Sequence, residues 1–274
     1  MISKEHSSGA ANRATARRSA LTRIGDKTDR SHWESTHQGD VRLGLPSPLN
    51  IATANTRRLL RRYVRAGHRV LEIGFAPGKQ LAWVAAGLGA QVSGIDFSPP
   101  GIATARRLFS HLQLNGDLRC EDAFQTTFPK ESFDVVYSLG VIEHFDDPAP
   151  LVRCHVDLLA PGGVAVIAIP NYGGLYGRLQ RYFDPENLTI HNLSIMSPDS
   201  LRDVAPTDDA FTVRTFVEGR VSPWAVSWAH RWPRPLALAW QFGWNAAGLL
   251  QPFTVPALAP WLVLTIERRR HVQV

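Results

Sequence analysis

Cysteine is nearly absent: the chain of 274 residues has two, Cys120 and Cys154. A lone pair supports no disulfide framework, and no Cys-x-x-Cys or Cys/His grouping suggests structural zinc. Such a chain fits a reducing cytoplasm. The N-terminus lacks an apolar core of about 7–15 residues, so a secretory signal is not expected. No internal repeat is apparent. What remains is 44% hydrophobic and 20% charged, enough for one generous domain with a sizeable core.

The net charge of +6 is unevenly spread. Residues 1–30 carry seven Lys/Arg against three Asp/Glu. This stretch is rich in Arg, Ser and Ala like a transit peptide, but Glu5, Asp26 and Asp29 speak against one, and it reads as a disordered basic tail. Arg57, Arg58, Arg61, Arg62 and Arg65 form a second basic group, and Arg268, Arg269 and Arg270 a third. Nucleic acid or an anionic membrane could be drawn to them. The preferred alternative is a solvated tail and a solvated helix face.

Residues 53–66 predict a helix, with Leu59, Leu60, Tyr63 and Val64 on one face, arginines on the other and Gly67 as its stop. From residue 69 strand and helix alternate. RVLEIGF, QVSGIDF, DLRCED, FDVVYSLG and GVAVIAIP read as strands. KQLAWVAAGLG, PPGIATARRLFSHL and DPAPLVRCHVDLLAPGG read as helices, the last closed by Pro-Gly-Gly. This rhythm implies right-handed crossovers and a parallel sheet. After residue 170 come a loop and helix (NYGGLYGRLQRYFDPENLTIHN), a short helix (PDSLRDV), and two strands (FTVRTFVEG and PWLVLTIERR) flanking a Trp- and Pro-rich stretch. The expected divisions are a tail at 1–30, a core at 31–221, a Trp-rich helical segment at 222–260, and a final strand within 261–274.

Chemistry concentrates in Leu71-Glu72-Ile73-Gly74-Phe75-Ala76-Pro77-Gly78. A strand ends in an acid, and a glycine turn then opens a helix. Glycine admits close ligand approach. The helix N-terminus suits a carboxylate, and Glu72 suits an ammonium. An amino-acid end carries both groups. A dinucleotide would ask for G-x-G-x-x-G, which Ala76 interrupts. A plain tight turn is the alternative. Asp96 ends the second strand and can accept from ribose hydroxyls, while Ser98 caps the next helix. Asp122, beside Ala123 and Phe124, could accept from an adenine amino group with Phe97 packed on the ring; a loop aspartate is the alternative.

VLEIGFAPGKQ, SGIDFSPPGIATAR, CEDAF, FDVVYSLGVIEHFDDP and LLAPGGVAVIAIPN occur in order. Together they resemble class I S-adenosylmethionine-dependent methyltransferases, in the ubiquinone-biosynthesis-type (methyltransferase type 11/23-like) branch. The resemblance covers residues 69–172 and fades in the Trp-rich tail. It implies a Rossmann-like α/β fold: a doubly wound, mostly parallel seven-stranded sheet with a C-terminal antiparallel strand. It also implies S-adenosylmethionine as cofactor. Glu72, Gly74, Ala76 and Gly78 would hold its methionine part, Asp96 the ribose, Asp122 with Ala123 the adenine, and Leu139 would line the reactive side. Ala76 stands where that family usually has glycine. HWESTH resembles the family's aromatic-plus-acid cap, making Trp33 the candidate lid; packing on the outside of the domain is its alternative.

A hydroxyl acceptor needs a base within hydrogen-bond reach. His144, with Glu143 beside it, follows the fourth strand at the ligand-binding edge, and histidine titrates near neutrality. His191 is the second candidate. Backbone-bonded structural histidines are the alternative. Tyr172, Tyr176 and Tyr182 could shape an acceptor pocket or simply pack. Some relatives bind a divalent metal after this strand, but Glu143, His144, Asp146 and Asp147 are too generic a set, and no metal is expected.

Six of eight tryptophans lie from Trp224 to Trp261, and no residue from Pro235 to Ile266 is charged. Pro252, Pro256 and Pro260 argue against a spanning helix. An interfacial position in lipid head groups and a soluble insertion over the core are both open. The first suits a lipid-linked acceptor. The overall expectation is a cytoplasmic methyltransferase of a small-molecule or lipid-linked acceptor, with peripheral membrane contact through 222–260 and no nucleic-acid partner. The competing readings are a non-catalytic S-adenosylmethionine-binding module and a soluble secondary-metabolite or sugar methyltransferase.

Overall fold

The computed structural model describes residues 27–28, 43–228 and 231–270. The expected tail therefore lies outside the described residues apart from Lys27 and Thr28, and so does Trp33.

The elements are α1 (Ile51–Leu60), β1 (Arg69–Ile73), α2 (Lys79–Leu88), β2 (Gln91–Asp96), α3 (Pro99–His111), β3 (Asp117–Cys120), β4 (Phe133–Leu139), α4 (Ala149–Asp157), β5 (Leu159–Pro170), α5 (Leu175–Phe183), α6 (Pro185–Thr189), α7 (Pro198–Asp203), β6 (Phe211–Glu218), α8 (Arg234–Leu250) and β7 (Trp261–Arg268). They build a seven-stranded sheet in the order β3-β2-β1-β4-β5-β7-β6. β1 to β5 run parallel, and β7 is antiparallel to both neighbours. The expected sheet is borne out.

Alternation along the strands builds two cores. Val70, Val135, Tyr137 and Val166 face α1, α2 and α3, through Leu59, Leu81 and Leu108. Leu71, Val136 and Ile167 face α4 and α7, through Val152 and Leu201. Burial on both faces explains why these strands read as near-continuous apolar runs. Order reverses at β1, which has β2 on one side and β4 on the other. In open sheets of this kind, the crevice outside the carboxyl ends at that point takes ligands.

Two boundaries differ from the sequence expectation. The first helix begins two residues earlier than residue 53, because the Asn50 side chain accepts from Thr53 N–H as its cap. It ends at Leu60, where Arg62 and Tyr63 turn to i−3 carbonyl partners and tighten the chain. Pro161-Gly162-Gly163 does not close α4. That helix ends at Asp157, and β5 already starts at Leu159, paired with Phe133 and followed by a register shift. The sheet ladder captures this backbone before the glycines are reached.

Fully buried His155 of α4 joins the helix to the sheet. Its Nδ1–H donates to Leu151 O (2.8 Å), and its Nε2 lies 2.9 Å from Ser138 Oγ on β4. Burial lowers its pKa to about 4.

Candidate active site

The β1–α2 turn is shaped by glycine. Gly74 adopts φ +73°, and a Cβ there would lie 2.7 Å from Val141 Cγ2. The Ala76–Pro77 bond is cis. Asp96 fastens this turn to β2: Ala76 N–H donates to its Oδ2 (3.0 Å), and Ser98 N–H to its Oδ1 (2.9 Å). Ser98 caps α3 as expected, accepting from Gly101 N–H.

A cleft of about 910 Å³, counted out to its open mouth, lies at the carboxyl edge of the sheet. It gathers seven of the expected cofactor residues: Gly74, Ala76, Asp96, Phe97, Asp122, Ala123 and Leu139. Glu72 and Gly78 do not line it. Gly78 is needed for packing, since at φ +87° its missing Cβ would stand 2.9 Å from Ala105 Cβ of α3. Glu72 lies beneath the turn and faces Tyr137 across the β1–β4 register. Burial lifts its pKa to about 8, with Asp96 adding to the rise and the Tyr137 hydroxyl opposing it. Asp122 also caps a short turn, accepting from Phe124 N–H (2.9 Å).

Sequence reading missed Thr28, Val141 and Phe145 in the cleft wall. Lys27 N–H donates to His144 O (2.7 Å), and Lys27 Nζ lies 2.8 Å from Asp146 Oδ1. Lys27 and Thr28 thus meet the cleft; HWESTH lies outside the described residues.

The three candidate catalytic residues come together. Glu143, His144 and His191 are buried, and one ligand atom from each lies within 4.8 Å of the others. The imidazole centroids are 4.9 Å apart, with Tyr172 edge-on to His191 at 5.2 Å. Asn192 makes the junction. Its N–H donates to Glu143 O (2.6 Å), and its Nδ2 donates to Phe145 O and Asp146 O (both 3.0 Å). No motif announced this residue.

Both imidazoles bond backbone carbonyls through Nδ1: His144 to Ile190 O (2.8 Å), His191 to Asn187 O (2.6 Å). A carbonyl only accepts, so Nδ1 carries the proton, and the neutral rings present Nε2 as the basic nitrogen. Burial lowers the His191 pKa. Among the described residues Glu143 Oε2 has no hydrogen-bond partner, and its Oε1 lies 3.9 Å from His144 Nε2, beyond hydrogen-bond range. Burial raises Glu143 to about 8, so it is largely protonated at neutral pH. The set could hold a divalent cation through two imidazoles and one carboxylate. Of the three tyrosines, Tyr172 joins this cluster, Tyr176 is tied to Ser222 N–H and Leu258 O, and Tyr182 is exposed.

Within the Trp-rich segment, Trp228 packs on Phe183 of α5 (4.7 Å between centroids), and a chain of ring contacts runs on through Trp232 and Trp240 to Trp244. The segment packs on the core, yet Leu236, Phe242, Leu250 and Phe253 are exposed. No helix among the described residues is long and apolar enough to cross a membrane.

Residues 71–167 match the family profile described as "Methyltransferase domain". A ubiquinone biosynthesis O-methyltransferase of Thiobacillus denitrificans is 37% identical over 122 residues, 43% of this chain and 48% of that protein. The methyltransferase GfsG of Streptomyces halstedii is 34% identical over 107 residues, 38% of each. The matched region spans about half the length of these relatives or less. Two solved structures share the fold. Haemonchus contortus phosphoethanolamine N-methyltransferase 2, in complex with phosphomonomethylethanolamine and S-adenosylhomocysteine, superposes with a TM-score of 0.54 at 19% identity, covering 78% of this chain and 52% of that one. A putative sarcosine dimethylglycine methyltransferase of Galdieria sulphuraria gives 0.54 at 15% identity, covering 89% and 99%.

Proposed function

With a methyltransferase domain at residues 71–167 as the premise, we propose that this chain transfers the methyl group of S-adenosylmethionine to a hydroxyl of a small-molecule or lipid-linked acceptor. One residue carries the reading. His144 both lines the cleft and belongs to the buried cluster with Glu143 and His191.

The cleft fits the cofactor. Gly74, Asp96 and Asp122 line the cleft, and Glu72 is buried beneath the turn. Glu72 would pair with the ammonium. Each carboxylate oxygen can accept more than one hydrogen bond, so Asp96 can hold the turn and a ribose together. Asp122 and Ala123 would meet the adenine, with Phe97 against its ring. S-adenosylmethionine, when bound, supplies a methyl group activated by a positively charged sulfonium.

The protein's own work is then to orient the acceptor, exclude water and take a proton. His144 Nε2 would take the hydroxyl proton of the acceptor, the sulfonium–methyl bond giving way with S-adenosylhomocysteine as the leaving group. Glu143, at 3.9 Å, favours the resulting imidazolium when ionised. His191 and Tyr172 wall the acceptor side. A screen of phenols, sugars and a polyprenyl quinol with radiolabelled S-adenosylmethionine tests this. His144→Gln should lower kcat by about 10²–10⁴-fold and leave S-adenosylhomocysteine binding within twofold. Full turnover in both His144→Gln and His191→Gln would remove the base role. Cofactor binding without turnover on any acceptor would favour the non-catalytic module.

The Glu143–His144–His191 geometry also supports a second reading, in which a divalent cation activates the acceptor hydroxyl. Stoichiometric metal in the purified protein and activity abolished by EDTA would select it. For location, the reading is a cytoplasmic enzyme that touches the membrane surface through residues 222–260, supported by the exposed apolar side chains of α8. Failure to bind neutral phosphatidylcholine vesicles would leave the soluble small-molecule acceptor.

A further inference from the structure

Arg57 and Arg58 in the last turn of α1, Arg61 and Arg62 in the turn that follows it, and Arg220 from the segment after β6 converge on one place. With Pro48 and Ala54 they line a pocket of about 990 Å³, counted out to its mouth, that shares no residue with the cleft. The pocket is tied together from behind. Buried Asn55 donates to Arg220 O (2.7 Å) and accepts from Arg220 N–H (2.9 Å), fixing the loop to the helix.

Among the described residues the charge here is only partly neutralised. Five guanidiniums meet one carboxylate, buried Glu218, which lies 2.7 Å from Arg62 Nη1 and 3.4 Å from Arg58 Nε. Arg57, Arg61 and Arg220 have no carboxylate among the described residues. Arg57 is 9% exposed and lies over the Trp83 ring with Arg61. Its Nη2 donates to Pro46 O, but its Nε is buried without an acceptor among the described residues. Arg220 repeats the pattern: Nη1 donates to Leu249 O and Nε is buried and unmatched. Burial and the neighbouring arginines depress the pKa of both. Arg58, Arg61 and Arg62 keep the solvent contact expected of a solvated face, whereas Arg57 buries its Nε with no acceptor among the described residues. Like charges at i and i+4 are unfavourable on their own, whereas guanidinium forks match phosphate oxygens two at a time.

We propose that this pocket is a second ligand site, taking a phosphate group between Arg57, Arg58, Arg61, Arg62 and Arg220. The group belongs either to a soluble phosphorylated compound or to a phospholipid head group at a bilayer surface. The inference stands independently of the methyl-transfer reading.

The test uses the full chain and two probes, inorganic pyrophosphate by calorimetry and sedimenting vesicles of phosphatidylcholine with and without one-quarter phosphatidylglycerol. The variant Arg61→Gln/Arg62→Gln alters two exposed side chains; because Arg62 pairs with buried Glu218, its melt is compared with that of Arg61→Gln alone, which breaks no ion pair among the described residues and should melt like the wild type. Arg57→Gln removes the buried fork. At least one anionic probe should bind the wild type and lose tenfold or more in the double variant, with affinity falling as salt rises. Saturable pyrophosphate binding assigns a soluble ligand. An increment on phosphatidylglycerol vesicles alone assigns a head group. No binding of either probe, or equal binding by wild type and a folded double variant, overturns the site.

Discussion

The Tyr137 hydroxyl donates to Glu72 Oε2 over 2.7 Å from the facing position on the next strand. Both groups are buried at the switch point of the sheet, so a carboxyl sits under the cleft with one donor to steady it. Its pKa of about 8 means that it is mostly protonated at neutral pH. If a ligand ammonium engages it, the proton must leave. S-adenosylhomocysteine affinity should then rise by up to about tenfold per pH unit below pH 8 and level off above. Calorimetry in two buffers of different ionisation enthalpy should register proton release near pH 7. Tyr137→Phe removes the donor, raises Glu72 further, and should shift the profile to higher pH. A flat profile in the wild type would separate Glu72 from the ammonium.

His155 gives a stability signature of its own. With a folded pKa near 4 against an unbound value of 6.5, the unfolded chain binds the extra proton between these values. Stability contributed by neutral His155 is complete above about pH 6.5 and lost as pH falls toward 4, by about 3 kcal/mol. Denaturant melts at intervals across this range should show the decline. His155→Gln should lose this component of the slope, as well as some stability at every pH.

Asn192 is expected to act at a distance from any ligand. Asn192→Ala cuts the bonds to Phe145 O and Asp146 O that hold the His191 segment against the His144 turn. We expect a loss of about 1–2 kcal/mol in stability and at least a tenfold fall in kcat. S-adenosylhomocysteine affinity should stay near wild type, since Asn192 is outside the cleft wall. Asn192→Asp keeps an acceptor for Ser194 N–H but, when ionised, can donate to neither carbonyl, and should be at least as impaired as Asn192→Ala.

The exposed face of α8 separates folding from surface binding. Phe242 is 67% exposed, so Phe242→Ser should change stability by no more than about 0.5 kcal/mol. Binding to phosphatidylcholine vesicles, if α8 is the contact, should fall several-fold in the same variant.

Much of this molecule is legible in its residues, for physical reasons. Strands buried on both faces are written as apolar runs, and glycines mark the turn where a side chain would strike Val141. Asp96 is found by spacing because β1, its turn and α2 have nearly fixed lengths. The meeting of His144 and His191 is harder to see. They lie on separate turns, joined by the Asn192 clamp and by the bond from His144 to Ile190 O. The arginines of α1 were visible as charge but not as a pocket, because Arg220 and Glu218 arrive from a distant strand. Glu72 and Gly78 show the limit of motif reading: both belong to the expected signature, yet one lies beneath the cleft and the other separates two helices.

The measurement that bears most directly on this account is calorimetric titration with S-adenosylmethionine, S-adenosylhomocysteine and NADH, on the wild type and on Asp96→Ala. The account predicts micromolar binding of both sulfur compounds, none of NADH, and loss of binding in a variant that remains folded. Absence of binding by either sulfur compound to the folded wild type would contradict it, and the cleft would have to be assigned to another ligand.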